Sequence, residues 1–84
     1  MKVLLIDDNE TLIQIYQRIL TNPDRQTEIL TDSSTAIETI KKVRPDIILL
    51  DLLMEPVSGW EILERIRSDS EISDLPVIIL TGKI

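Results

Sequence analysis

The stretch Asp46-Ile-Ile-Leu-Leu-Asp51-Leu-Leu-Met54-Glu-Pro56-Val-Ser-Gly59 decides the fold of this chain. It passes from a short, continuously apolar segment into an acid, and then into a loop marked by proline and glycine. An apolar run of that length without polar alternation reads as a strand buried on both faces, as in a parallel sheet covered by helices. A second such run, Val3-Leu-Leu-Ile6, also ends in acids, Asp7-Asp8. In an open α/β sheet the C-terminal strand ends face one crevice, so Asp7, Asp8 and Asp51 are expected to converge there. Two or three carboxylates in one place suit a hard divalent cation, of which Mg²⁺ fits best. Beside a metal, one of them can act as a nucleophile toward a phosphoryl group.

Working outward, Lys2 to Ile6 is a strand, and Asn9 to Leu20 switches to helical spacing. Leu12, Ile15, Tyr16, Ile19 and Leu20 form the apolar stripe of that helix. Thr21-Asn-Pro23-Asp24 breaks it, and Thr27 to Leu30 reads as a more polar strand suited to a sheet edge. Asp32-Ser-Ser34 can cap a helix carrying Ala36, Ile37, Ile40 and Val43. Arg44-Pro45 ends that helix, because proline disfavours helical geometry in the residue before it. Asp46 to Leu50, the most apolar strand, is expected at the centre of the sheet. After a loop from Leu52 to Ser58, Trp60 to Arg67 is a helix with Ile62, Leu63 and Ile66 inward. Ser68 to Leu75 is a polar linker and Pro76 to Leu80 a fourth strand. Trp60 and Tyr16 read as core or partly buried surface. Strands alternating with helices imply βαβ crossovers, hence one α/β domain over residues 1–84 of (βα)₃β form.

Composition narrows the chemistry. Fifteen acidic residues against nine basic ones give a net charge of −6, which argues against direct nucleic-acid binding. The absence of cysteine and histidine removes thiolate chemistry, the usual general base and the usual zinc ligand. No apolar run is long enough to span a membrane, and the N-terminus lacks the pattern of a signal peptide, so a cytoplasmic protein is the expectation.

Taken together, Asp7-Asp8, Asp51, Met54, Gly59, and Thr81 after Val77-Ile-Ile-Leu80 resemble the receiver domain of two-component response regulators. The resemblance runs from Met1 to Ile84. It implies a flavodoxin-like open parallel sheet of order 2-1-3-4, lacking the last strand and last two helices of the receiver fold. It implies that Asp51 is the phosphoacceptor, that Asp8 meets Mg²⁺ directly, and that Asp7 does so through water or at longer range. The backbone carbonyl of Leu53 would be a further metal ligand, and the hydroxyl of Thr81 would hydrogen-bond the phosphoryl group. The implied partner is a histidine kinase or phosphotransfer protein, and the implied role is a signalling module rather than an enzyme. Two departures stand out. Glu55 occupies the place where the family usually has proline, which follows here at Pro56. No residue matches the lysine that the family places at the end of a fifth strand, since Lys83 follows Thr81 too closely.

The same residues have plainer readings. Asp7 and Glu10 have capping-box spacing, Gly59 can be a turn residue with positive φ, and Thr81 can be a helix cap. A different function class is also open: a non-catalytic, self-associating interaction module, hence a homodimer or other oligomer. The uncharged Val77 to Leu80 edge would join it, or a groove beside the first helix lined by Ile6, Ile13, Tyr16, Ile48 and Leu50, or both. A third reading ranks lower. Asp7-Asp8-Asn9-Glu10-Thr11 partly resembles the nucleophile motif of haloacid dehalogenases, with Asn9 in place of the acid/base carboxylate.

Overall fold

The computed structural model describes residues 1–80. The elements run β1 (Lys2–Ile6), α1 (Glu10–Leu20), β2 (Gln26–Leu30), a 3₁₀ turn (Ser33–Thr35), α2 (Ala36–Val43), β3 (Ile47–Asp51), α3 (Gly59–Ser68) and β4 (Val77–Leu80). All pairings are parallel and the sheet order is β2-β1-β3-β4, the flavodoxin-like order. Val3 lies opposite Ile47 and Ile6 opposite Leu50, while Ile48 lies opposite Val77.

The apolar runs of β1 and β3 are continuous because both faces of these two strands are covered. Leu4, Ile6, Ile48 and Leu50 pack with Ala36 and Ile40 of α2 and with Ile62 and Ile66 of α3. Val3, Leu5 and Leu49 face the other way, onto Ile13 of α1. This corrects one expectation. Ile6, Ile48 and Leu50 do not line a groove beside the first helix; they are fully buried under α2 and α3. A continuous apolar run carries no parity, so it cannot tell which alternate residue takes which face.

The stripe on α1 is also rotated from its expected position. Ile13 is buried, with Tyr16 and Leu20 packed beside it, whereas Ile15 and Ile19 are 47% and 68% exposed. Apolar residues occupy more of this short helix than one face can hold, and Ile13-Tyr16-Leu20 is the helical set that meets the sheet. The N-cap is Asn9, whose Oδ1 accepts the amide of Leu12 at 3.1 Å; Asp7 and Glu10 form no capping box. Ahead of α2, Asp32 caps the 3₁₀ turn rather than the helix itself.

Trp60, expected to be buried at least in part, is 63% exposed. The segment after α3 is less of a plain linker than its composition suggests. Ile72 is buried in it, and Arg67 donates to the carbonyls of Ser73 at 2.9 Å and Leu75 at 2.8 Å.

Two backbone positions carry steric constraints. Arg44 ends α2 with φ of 53°, its amide donating to the carbonyl of Ile40 at 2.9 Å. Gly59 is constrained by space rather than by positive φ, contrary to its expected role as a left-handed turn residue. A Cβ there would stand 2.1 Å from the carbonyl oxygen of Asp51 and 2.5 Å from Cα of Leu52. The helix therefore begins directly against the end of β3.

Gly59→Ala should force β3 and α3 apart and destabilise the fold by at least about 2 kcal/mol, as overpacking against backbone does. Arg44→Gly should act oppositely, relieving a left-handed residue and stabilising by about 0.5–1 kcal/mol. Urea denaturation of both variants checks the pair. A wild-type midpoint for Gly59→Ala would contradict the close packing.

Candidate functional site

Because Ile6 and Leu50 are in register on adjacent parallel strands, the residues that follow them, Asp7 and Asp51, stand side by side at the C-terminal edge of the sheet. Asp8 follows at the surface. One carboxylate oxygen from each of Asp7, Asp8 and Asp51 lies within 4.8 Å of the others. Asp7 is fully buried and Asp51 is 4% exposed. The three aspartates expected to converge do so.

Hydrogen bonds set the two buried carboxylates. The amide of Asp7 donates to the carbonyl of Leu30 at 3.1 Å, which ties the end of β1 to β2. Asp7 Oδ1 accepts the amide of Asn9 at 2.9 Å, so this carboxylate helps turn the chain into α1. Asp7 Oδ2 is buried and has no hydrogen-bond partner. Asp51 Oδ1 accepts the amide of Leu53 at 3.1 Å. A buried carboxylate oxygen without a donor is costly, and a cation is the partner that removes that cost.

Electrostatics agree. Burial pushes the Asp51 carboxyl up from its ordinary value of 3.8 to about 6, with the neighbouring Asp7 and Asp8 adding to the rise and the Leu53 amide opposing it. Oxygen-only ligands with two or three negative charges suit Mg²⁺ or Mn²⁺ rather than a soft metal. The donor set fits a resident divalent ion.

The surroundings are mixed. The side chain of Leu53 is 54% exposed, and Met54 is buried in the core beneath the loop. Glu55 lies on the rim of an open cleft of about 490 Å³ lined also by Asp8, Leu52, Leu53, Met54, Ser58 and Trp60. Trp60 at this cleft was not anticipated, although its place directly after Gly59 is the signal that α3 begins against the strand end. Nor was Ser33, whose Oγ accepts the amide of Val57 from this loop. Thr81 lies outside the described residues.

Comparison with known proteins bears on what this arrangement is. The family model "Response regulator receiver domain" matches residues 3–84. The chain belongs to the response regulator receiver family. Among curated relatives, the DNA-binding response regulator MtrA of Mycolicibacterium smegmatis is 29% identical over 98% of this chain and 35% of its own length. This receiver chain thus spans about a third of the curated relatives it matches. Among solved structures, the phosphorylated cyanobacterial phytochrome response regulator RcpA superposes with a TM-score of 0.90 at 30% identity, over 99% of this chain and 66% of that one. The Mn(2+)-bound form of the response regulator Rcp1 gives 0.87 at 27% identity, over 98% and 66%.

The raised Asp51 carboxyl makes a prediction for the metal-free protein. Between pH 3.8 and about 6 the folded chain keeps a proton that the unfolded chain has released, so stability falls as pH rises through this window and stays lowered above it. Asp51→Asn should therefore be the more stable protein at neutral pH without divalent ions, by on the order of 1–3 kcal/mol. The difference should vanish near pH 3.5, below the ordinary carboxylate range. Melting curves across this range with a chelator present test it, and a parallel wild-type and variant profile would refute it.

Proposed function

We propose that this receiver domain accepts a phosphoryl group on Asp51 from a histidine kinase or phosphotransfer protein, with Mg²⁺ as cofactor. The observation that carries the proposal is the carboxylate trio, two buried and one at the surface, with the unpartnered Asp7 Oδ2. Asp7, Asp8, Asp51 and the backbone carbonyl of Leu53 would hold the metal. When bound, the ion supplies positive charge against which carboxylate and phosphoryl oxygens can crowd together.

The chain's own part is positioning. Asp51 is oriented by the Leu53 amide and presented at the end of a rigid strand. Its free carboxylate oxygen attacks phosphorus in line, forming an acyl phosphate. The phosphorus–nitrogen bond of the donor phosphohistidine breaks, and the imidazole nitrogen keeps the electron pair. The carboxylate must be ionised to attack; burial is the first cause of its raised value, and neutralisation of Asp7 and Asp8 would remove only their part of the rise. The hydroxyl of Thr81 would donate to the transferred phosphoryl group. The reaction is stoichiometric, so the chain is an acceptor and not an enzyme. Glu55 adds a negative charge on the cleft rim and should disfavour small anionic donors.

The proposed setting is the cytoplasm, where a histidine kinase draws on ATP. No helix among the described residues is long and apolar enough to cross a membrane. Direct contact with nucleic acid is not proposed for this 84-residue chain, whose net charge is −6.

A second reading, a self-associating interaction module, is favoured by surface apolar side chains: Ile15 and Ile19 on α1, and Ile78 and Ile79 on β4. It requires a homodimer or larger assembly. Sedimentation of wild type and Ile78→Lys tests it; a monomer in both removes it.

Mg²⁺ in hundredfold excess over its dissociation constant should stabilise the fold by about 2.7 kcal/mol, and Asp8→Asn should reduce this. Phosphohistidine donors or acetyl phosphate should label Asp51 alone, and Asp51→Asn should abolish labelling. Mass spectrometry of the acyl phosphate locates the group. Labelling at Asp7 would instead support the dehalogenase-like reading.

A further inference from the structure

We infer that Ser33 is a positioning residue for the acidic site, acting through the loop that follows Asp51. The inference rests on the reading of the site given above.

The loop from Leu52 to Ser58 joins the proposed phosphoacceptor to α3 and carries the carbonyl of Leu53. Three of its side chains, those of Leu53, Glu55 and Pro56, are exposed. Met54 is sunk in the core, and the amide of Gly59 donates to the carbonyl of Leu52 at 3.0 Å. One further hold comes from a different βα connection. The amide of Val57 donates to Ser33 Oγ at 3.0 Å across a sequence separation of 24 residues.

Ser33 is well placed to hold something still. It is 2% exposed. Its turn is knotted by Asp32, whose Oδ1 accepts the amide of Ser34 at 3.0 Å and the Ser34 hydroxyl at 2.6 Å. The carbonyl of Asp32 accepts both the amide of Thr35 at 3.3 Å and the Thr35 hydroxyl at 3.1 Å. The Ser34 hydrogen bonds hold the Asp32 carboxyl below its ordinary value. The hydroxyl of Ser33 is thus presented from a rigid turn.

Core packing alone does not require a hydroxyl there, because alanine would fill the same place without a buried polar atom. What the hydroxyl adds is a fixed point for Val57. With Val57 fixed at one end and β3 at the other, the loop path between them is set. That path determines where the Leu53 amide meets Asp51 Oδ1 and where the Leu53 carbonyl points. Ser33 therefore acts on the carboxylate of Asp51 through backbone rather than by contact.

The test is a Mg²⁺ titration of the chain followed by the emission of Trp60, its one tryptophan, which shares a cleft with Asp8. Amide exchange of Val57 is measured alongside in metal-free protein. Ser33→Ala should raise the half-saturating Mg²⁺ concentration about tenfold, the lower end for groups that orient ligands from behind. It should also speed Val57 exchange. Ile66→Val is the control, since it thins the same core without removing the Ser33 hydroxyl, and should leave both readouts near wild type. Unchanged Mg²⁺ affinity in Ser33→Ala, with a wild type that binds, overturns the inference and leaves the site reading intact. An equal loss in Ile66→Val overturns it too, because general loosening would then explain the effect. A wild type that shows no Mg²⁺ response in emission or melting overturns the site reading and this inference with it.

Discussion

Like charge held in a small buried volume is the constraint around which this molecule is organised. β1 and β3 pair in parallel register, and each ends in an aspartate that the sheet then hides from water. Neither carboxylate can withdraw, because each is at the end of a strand covered on both faces. Burial and mutual repulsion raise the free energy of the ionised pair, and the Asp51 carboxyl responds by holding its proton more tightly. The fold supplies that strain from its own packing energy, and the proposed divalent cation would relieve it.

The loops above the strand ends are arranged to keep this geometry. Gly59 lets α3 start against the backbone of Asp51 and Leu52, so the loop between them is short-tethered at both ends. Ser58 caps the helix by accepting the amide of Glu61 at 3.3 Å. The opposite side of the site is framed by Asp7 and Asn9, which turn the chain into α1 with their own side chains. The site is therefore built from two helix entrances that meet over two strand ends.

Much of this was legible in the sequence. The alternation of apolar runs and helical stripes led to the parallel sheet, and the strand-end acids Asp7, Asp8 and Asp51 led to the cluster. What was hidden was mostly facing. A run such as Ile47 to Leu50 is apolar at every position, so nothing in it says that Ile48 and Leu50 belong with α2 and α3 while Leu49 belongs with α1. In α1, Ile15 and Ile19 compete with Ile13 for the same role, and only the sheet decides between them. At Gly59 the plain reading from sequence is a turn with positive φ, whereas the structure gives the approach of two backbones as the reason for glycine. Ser33 left no trace, because a serine beside a cap is ordinary and its partner is a backbone amide 24 residues away.

The two oxygens of each buried carboxylate are not equivalent, and this bears on which metal the proposed site would prefer. Asp7 Oδ1 is committed to the amide of Asn9 and Asp51 Oδ1 to the amide of Leu53. Each buried aspartate therefore has one oxygen free of hydrogen bonds, which in Asp51 is the oxygen proposed to attack phosphorus, so neither would offer a cation a free chelating pair. Ca²⁺ takes about six to eight oxygens and commonly draws two from one carboxylate, whereas Mg²⁺ accepts single oxygens and retains its own waters. Backbone amides that look like mere loop hydrogen bonds would thus bias the proposed site toward small, strongly hydrated ions.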